Sequence, residues 1–196
     1  SPGTVSQPTI RVSGVTSGDT VKLYADPTCS AQVGITTAAG TYADVTVTTP
    51  LTSGDVKNYR ARVYDSVGNG SICSSSPLVT YNYDGAGPYV TFVNSTTPVG
   101  TYSTGYSIYV VVNFDEFITV TGSPTLLLET GSTDRTAAFS SSTMNTATFV
   151  YTVQTGDSAS PLNYQSTSAL QLNGGTITDS FGNNATLTLP TLAGAT

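Results

Sequence analysis

Asp115 and Glu116 are the only adjacent carboxylates in the chain, and a pair of carboxylates is what a glycosidase uses to cleave a sugar bond. Neighbouring residues of a strand point to opposite faces, however, so these two side chains would not converge on one sugar. The chain has no histidine, which removes the commonest general base and the commonest transition-metal ligand. A nucleophilic Ser or Thr would depend on one of only two lysines as its base. We therefore expect no enzyme.

Carboxylates in turns could hold calcium, which takes about six to eight oxygen ligands. The segment Asp65-Ser66-Val67-Gly68-Asn69 recurs as Asp179-Ser180-Phe181-Gly182-Asn183. One Asp and one Asn supply too few ligands, and Asp in such a turn commonly accepts backbone N–H bonds, which favours a structural role. Asp84 is the better calcium candidate, and it opens the Gly/Pro segment, residues 84–88. Asp65, Asp115 and Glu116 are further ligands if the fold brings them near Asp84. No cofactor is required by the pattern.

Cys29 and Cys73 are the only cysteines, and both lie beside loop-like sequence. In an oxidising compartment an even pair suggests a disulfide. Closing a loop of about 44 residues would stabilise the fold by roughly 4 kcal/mol in the chain-entropy model. The alternative is two reduced, buried thiols that act as small hydrophobic side chains. A disulfide would predict an exported protein.

Tyrosine is the remaining residue type that could form a binding surface, with twelve in the chain. A tyrosine ring offers a rigid apolar body and a hydroxyl, which suits contact with a sugar or a protein. Tyrosines also fill sandwich edges and pack junctions, so the structural alternative stays open. The binding candidates are Tyr81, Tyr83 and Tyr89, which flank the Gly/Pro segment, and Tyr102 and Tyr106, which follow it.

The charge balance excludes some partners. Six basic and twelve acidic residues give a net charge of −6 and an isoelectric point near 4.1. Such a chain repels phosphate backbones and anionic lipid heads, and its apolar runs are too short to span a bilayer. We expect neither nucleic-acid binding nor membrane insertion. The abrupt start at Ser1 and the Gly/Ala tail suggest a piece of a longer protein.

The elements that must position these residues are strands, because apolar residues alternate with polar ones and no helical period is sustained. Clusters of Gly, Asp, Asn and Pro separate the alternating runs at intervals of roughly ten residues, which predicts antiparallel β-sandwiches. The predicted strands are 21–24, 45–48, 59–63, 79–83, 107–114, 125–129, 135–139, 147–153 and 185–189.

A domain boundary is predicted at the Gly/Pro segment 84–88, which separates residues 1–84 from residues 85–196. The recurring segment, Asp65–Asn69 and Asp179–Asn183, is named the Asp turn. It occurs once in each half, before the last predicted strand. A self-similar turn at corresponding places indicates a repeat array. The halves differ in length and pattern, so we expect two related modules rather than two copies.

The first half of the chain contains one set of motifs, Ser17–Tyr24, Val45–Gly54 and Tyr64–Asn69. On these motifs, residues 8–83 resemble a bacterial Ig-like repeat. The second half contains another set, Asp84–Pro88, Gly100–Tyr102, Val112–Glu116, Pro124–Glu129, Phe149–Val153 with Gly156-Asp157, and Gly174–Ile177 with Asp179–Asn183. On these motifs, residues 84–192 resemble a second bacterial Ig-like type found in very long secreted repeat proteins.

The resemblance implies two tandem Ig-like antiparallel β-sandwiches in an extracellular fibre or adhesin at the bacterial cell surface. It implies a non-enzymatic stalk or spacer, or a carrier of a binding tip, with neighbouring repeats of the same chain as partners. The resembling repeat type also tends to carry a Cys pair at the places of Cys29 and Cys73. The alternative is that the chain itself recognises a surface glycan or protein of another cell.

Overall fold

The chain is all-β. The computed structural model describes residues 2–191, and that part of the chain contains sixteen strands and no helix. The ladders between these strands are antiparallel, apart from a two-residue parallel pairing at the N-terminus. The chain divides into two compact units, unit 1 (Ser1–Ala86) and unit 2 (Gly87–Thr196), which are described separately.

Unit 1 consists of a five-stranded sheet and a two-stranded sheet. The strands are β1 (Pro2–Gly3), β2 (Thr9–Ser13), β3 (Thr20–Tyr24), β4 (Gln32–Thr37), β5 (Tyr42–Thr46), β6 (Val56–Tyr64) and β7 (Val79–Tyr83). The larger sheet has the order β1-β7-β6-β3-β4, and β2 pairs with β5 in the smaller one. The order places β6 at the centre, between β7 and β3.

Both sheets of unit 1 contribute side chains to one core. Val21 and Leu23 of β3 are fully buried, and Val45 of β5 faces them from the smaller sheet. Tyr59 of β6 is also fully buried. The alternating pattern that predicted β3 and β6 therefore corresponds to one buried face and one face nearer solvent.

Unit 2 has a larger main sheet. Its strands are β8 (Val90–Ser95), β9 (Ser107–Phe114), β10 (Thr119–Thr121), β11 (Thr125–Glu129), β12 (Arg135–Thr143), β13 (Thr146–Thr152), β14 (Asn163–Tyr164), β15 (Leu170–Gln171) and β16 (Thr176–Thr178). Six strands follow the order β14-β11-β12-β13-β9-β8, and β15 also pairs with β11. The strands β10 and β16 form a separate two-stranded sheet. One edge of the main sheet is β8, and the other is formed by β14 and β15, which both pair with β11.

The core of unit 2 is built largely on β9, β11 and β13. Phe114, Leu126 and Phe149 are at most 1% exposed. The ring of Phe139 packs edge-on against Phe149, with centroids 6.0 Å apart. Aromatic and branched residues at alternate positions of long strands thus produce the apolar interior that the pattern predicts.

Residues 185–189 form no strand, so the prediction for this stretch was wrong. The backbone N–H groups of Ala185, Thr186 and Leu189 donate to the carbonyls of Ile177 (2.8 Å), Pro88 (2.7 Å) and Thr167 (2.8 Å). These acceptors belong to three different segments, so no continuous ladder forms. Leu189 is nevertheless buried. Alternation predicts which side chains are buried, but it does not identify a hydrogen-bonding partner.

Candidate functional site

The structure joins Cys29 and Cys73 by a disulfide, with Cα atoms 5.8 Å apart. Cys29 is buried in the loop after β3, and Cys73 lies in the segment after β6. Two arginines on the outward face of β6 hold that segment: Arg60 donates to the carbonyl of Ser74 (2.9 Å) and Arg62 to that of Ser71 (2.9 Å). The disulfide therefore fixes a surface loop and the segment 71–74 to each other.

The Asp turn of unit 1 uses its carboxylate for internal hydrogen bonds. Asp65 Oδ1 accepts the backbone N–H groups of Val67 (3.0 Å) and Asn69 (2.8 Å), and Oδ2 accepts Asn69 Nδ2 (2.8 Å). These bonds, the Asn69 side chain first, hold the pKa of Asp65 below its ordinary value. Gly68 has φ +94°, a left-handed conformation that glycine adopts without strain.

The Asp turn of unit 2 has the same hydrogen bonds. Asp179 Oδ1 accepts the N–H groups of Phe181 (2.8 Å) and Asn183 (2.8 Å), and Oδ2 accepts Asn183 Nδ2 (2.7 Å). Gly182 has φ +87°. The difference is burial, since Asp179 is 4% exposed whereas Asp65 lies at the surface. The recurrence noted in the sequence is therefore a recurrence of structure.

Asp84 is engaged within unit 1. Its Oδ1 accepts hydrogen bonds from Ser53 Oγ (2.5 Å) and from the backbone N–H of Ala86 (3.2 Å). Ser53 Oγ in turn accepts the N–H of Gly85 (3.0 Å). The side chain of Asp84 thus orders the residues that end unit 1.

The other two calcium candidates belong to unit 2, at the end of β9. Asp115 Oδ1 accepts the N–H of Tyr89 (2.8 Å), and the Asp115 N–H donates to the carbonyl of Tyr89 (3.1 Å). Glu116 is half-buried. An ion bound by Asp84 together with Asp115 or Glu116 would need ligands from both units. The calcium site stays a prediction.

The three candidate tyrosines beside the Gly/Pro segment have different environments. Tyr81 is 8% exposed, and its hydroxyl donates to the carbonyl of Val5 (2.9 Å), so it belongs to the core of unit 1. Tyr83 is half-buried and packs against the same core. Tyr89, in unit 2, is 53% exposed. Of these three, Tyr89 has the ring that is most open to solvent.

Tyr102 and Tyr106 form a stacked pair in the loop between β8 and β9. Their ring centroids are 4.4 Å apart, with an angle of 26° between the planes. The hydroxyl of Tyr102 donates to the carbonyl of Pro98 (2.5 Å), which fixes the ring from its other end. Tyr106 is 47% exposed, whereas Tyr102 is half-buried. The pair presents a rigid aromatic surface.

A polar network in unit 2 is centred on Asp157, whose side chain is 6% exposed. Asp157 Oδ1 accepts Arg135 Nε (3.0 Å), and Oδ2 accepts the hydroxyl of Tyr151 and the N–H of Gln154 (2.8 Å). The hydrogen bond from Tyr151, more than the guanidinium, holds the pKa of Asp157 below its ordinary value. Burial and the bond to Asp157 raise the pKa of Tyr151 to about 12. Every carboxylate oxygen of Asp157 thus has a partner.

A cavity of about 770 Å³ opens beside this network, entirely within unit 2. Both edges of the main sheet line it, β8 through Val93 and β14 through Tyr164. Its volume falls within the range of about 300–1,000 Å³ that is typical of small-ligand sites. Sequence reasoning missed this cavity, because the loop residues 97–102 and 157–162 that complete its lining follow paths that no periodicity predicts. Tyr102 is the one binding candidate among its lining residues.

No helix long and apolar enough to cross a membrane occurs among residues 2–191.

No protein-family model matches the chain, and no curated protein is significantly similar to it in sequence.

Proposed function

We propose that the chain is a non-enzymatic extracellular module of a bacterial surface fibre or adhesin, in which two tandem Ig-like β-sandwiches act as a stalk or carry a binding tip. The observation that carries this proposal is the Asp turn, because both units close it with the same hydrogen bonds. Tyr64 and Gly70 bridge across the turn of unit 1, and Thr178 and Asn184 bridge across that of unit 2. In both cases these are the residues one before and five after the Asp. A shared turn at equivalent places supports two related modules of a repeat array.

The arrangement of strands and cores also supports the proposal. Each unit has its own apolar core and consists of a larger sheet with a separate two-stranded sheet. Short antiparallel strands with Gly- and Asp-rich turns are typical of Ig-like sandwiches. One unit follows the other directly in the chain, at residues 86 and 87. Repeats that follow each other without an intervening domain are what a spacer needs.

The disulfide supports an extracellular location. Disulfides persist in oxidising compartments, and they are most valuable in small secreted domains whose cores are limited. Unit 1 is the smaller unit and is the one that carries the Cys29–Cys73 bond.

The location is tested on intact cells of the source bacterium. We expect an antibody raised against the chain to label these cells, and external protease to remove the label. The mass of the recovered protein should lie about 2 Da below that of the reduced form, because the disulfide removes two hydrogen atoms. A protein confined to the cytosol, with both thiols reduced, contradicts the proposal.

The role within the fibre is tested by the complete coding sequence. Further repeats on both sides of this chain would support the stalk, and a terminal position beside a dissimilar domain would support the tip. A coding sequence that places the chain inside a soluble enzyme would refute both.

Calcium is proposed as the ion of the candidate set Asp84, Asp65, Asp115 and Glu116, because carboxylate oxygens are its preferred ligands. An ion that binds only the folded chain raises its melting temperature. We expect a higher melting temperature in calcium than in chelator, and no difference in the Asp84→Asn variant. Identical melting temperatures for the wild type in calcium and in chelator would refute calcium binding.

A second candidate function is that the chain itself recognises a glycan or a protein. The cavity of unit 2 and the stacked pair Tyr102–Tyr106 beside it favour this alternative.

A further inference from the structure

The walls of the cavity in unit 2 are mainly apolar at its deep end. Ile108, Val110 and Leu128 point inward from β9 and β11, and Leu162 closes the floor from the segment before β14. These side chains belong to the core or pack against it, so the cavity reaches the interior between the two sheet edges. Such a floor accepts the C–H groups of a ligand and rejects its charged groups.

The cavity offers no counter-ion. Among the residues of 2–191 that line it, Asp157 is the only carboxylate, and none is a Lys or an Arg. Both oxygens of Asp157 are already taken by Arg135, Tyr151 and Gln154. A ligand anion would find no cation, and a ligand cation would have to displace Arg135. Burying an unpaired charge is costly, so the geometry selects against charged ligands.

The rim of the cavity carries uncharged groups that are free to bond. The hydroxyls of Thr101, Ser158 and Ser160 and the side-chain amide of Asn163 line the cavity. Within the part of the chain that the structure describes, none of these four side chains makes a hydrogen bond. A purely apolar occupant such as an acyl chain would leave them desolvated without partners, which is unfavourable.

An aromatic ring completes the rim. Tyr102 lines the cavity, and its orientation is fixed by the stack with Tyr106 and by the hydrogen bond to Pro98. A ring held in this way loses little entropy when a ligand packs on it. A sugar combines an apolar C–H face with a border of hydroxyls. Its C–H face matches the fixed ring and the apolar floor of the cavity, and its hydroxyls match the neutral donors and acceptors of the rim.

We infer that this cavity binds an uncharged saccharide of one or two sugar units, with Tyr102 against the sugar face and Asn163, Thr101 and Ser160 on its hydroxyls. The inference deepens the recognition alternative above and rests on it. It does not depend on the stalk proposal, which is tested by the cellular location and the complete coding sequence, so the two can fail separately.

The first experiment titrates the ¹⁵N-labelled full chain with a panel of named sugars and follows its amide resonances. The uncharged probes are glucose, galactose, mannose, N-acetylglucosamine, lactose and maltose, and the charged probes are glucuronic acid and sialic acid. We expect at least one uncharged sugar to cause saturable shifts in residues 97–102 and 157–164, which line the cavity. No shift with any sugar at tens of millimolar, shifts confined to other residues, or binding of the charged sugars alone would each overturn the inference.

The second experiment removes the proposed contacts one at a time. Tyr102→Ala and Asn163→Ala should each weaken binding of the sugar found above about tenfold, the loss expected when one good contact is removed. Tyr109→Ala is the matched control, because Tyr109 is an exposed tyrosine of β9 outside the cavity lining. Thr101→Trp, which fills the mouth from an exposed position, should abolish binding. Undiminished binding in the folded Asn163→Ala and Thr101→Trp variants would overturn the inference even if Tyr102→Ala did not fold.

Discussion

Unit 1 and unit 2 are built from the same kind of strand, yet they stabilise their cores by different means. Unit 1 is the smaller and has the disulfide Cys29–Cys73. Unit 2 contains no cysteine and instead has a longer main sheet around Phe114 and Phe149. A small domain buries a smaller fraction of its surface on folding, so a covalent link is most useful there. The comparison shows one architecture stabilised by a cross-link in one case and by core size in the other.

The two units also differ in charge. Unit 1 contains five of the six basic residues and six of the twelve acidic ones, which gives −1, whereas unit 2 contains one and six, which gives −5. The one cation of unit 2, Arg135, is paired with the buried Asp157. Apart from the exposed part of Arg135, unit 2 therefore has no basic side chain at its surface. The polar groups of that surface are hydroxyls and carboxylates.

The largest expected effect is on the core of unit 2. Phe149→Ala should destabilise unit 2 by about 3–5 kcal/mol, because a fully buried ring is lost and its cavity is only partly refilled. Hydrogen exchange followed by peptide mass spectrometry measures each unit within the full chain. Thr148→Ala, on the opposite face of the same strand, is the control. Equal loss of protection in unit 1 would show that the units do not unfold separately, and the comparison would fail.

Loss of the disulfide should act on the other unit. The double variant Cys29→Ser with Cys73→Ser should lower the stability of unit 1 by about 4 kcal/mol, the chain-entropy value for a separation of 44 residues. Exchange protection of unit 2 should be unchanged. Chemical reduction of the wild type should reproduce the effect. If the reduced protein keeps full protection in unit 1, the cross-link is not what compensates for its smaller core.

The two Asp turns offer a matched pair of substitutions. Asp179→Ala should destabilise unit 2 by about 1–3 kcal/mol, because it leaves donors without partners at a buried position. Asp65→Ala removes the same hydrogen bonds at the surface, where water replaces them, so its effect on unit 1 should be clearly smaller. Thermal unfolding of both variants measures the difference. Equal effects would mean that burial does not distinguish the turns.

The smallest expected effect concerns the hydroxyl of Tyr151, for which Tyr151→Phe should cost unit 2 about 1–2 kcal/mol at neutral pH. The unfolded chain releases this phenolic proton near pH 10, roughly its ordinary pKa, whereas the folded chain retains it up to about 12. The stability linked to this proton is therefore fully present below pH 10 and is lost as the pH rises to about 12.

The pH dependence is measured by denaturant unfolding of unit 2 between neutral pH and the alkaline range. Wild-type stability should fall more steeply through that window than the stability of Tyr151→Phe. Asp157 contributes in the opposite direction, since its lowered pKa gives stability that is lost only in acid, below the ordinary pKa of a carboxyl. Parallel alkaline curves for the two proteins would contradict the assignment to Tyr151.

Much of the strand content could be predicted from alternation. Ser107–Phe114 and Thr125–Glu129 have the predicted bounds, because each has one largely buried face that fixes its pattern. Short edge elements such as β14 and β15 were not predicted, since two residues show no period. The strand predicted for residues 185–189 is absent for a related reason, namely that burial does not specify a hydrogen-bonding partner.

The candidate site was less predictable than the fold. The recurrent Asp turn could be recognised because all of its hydrogen bonds lie within five residues. The cavity could not, since Tyr102 and Asn163 are 61 positions apart in the sequence and line the same cavity only in the folded chain. Tyr81 illustrates the same limit, because the burial of a tyrosine depends on distant parts of the chain, here the segment of Val5, whose carbonyl accepts the Tyr81 hydroxyl.

The disulfide has a mechanical consequence if the chain is ever pulled from its two ends. A covalent link between Cys29 and Cys73 removes the intervening residues from the path that carries tension. Fully stretched, unit 1 would then lengthen to roughly 150 Å rather than roughly 300 Å, at about 3.4 Å per residue. Unit 2 has no such link and could extend to its entire contour length. Under tension, the extension of unit 1 would thus be limited by the disulfide, whereas unit 2 would extend fully.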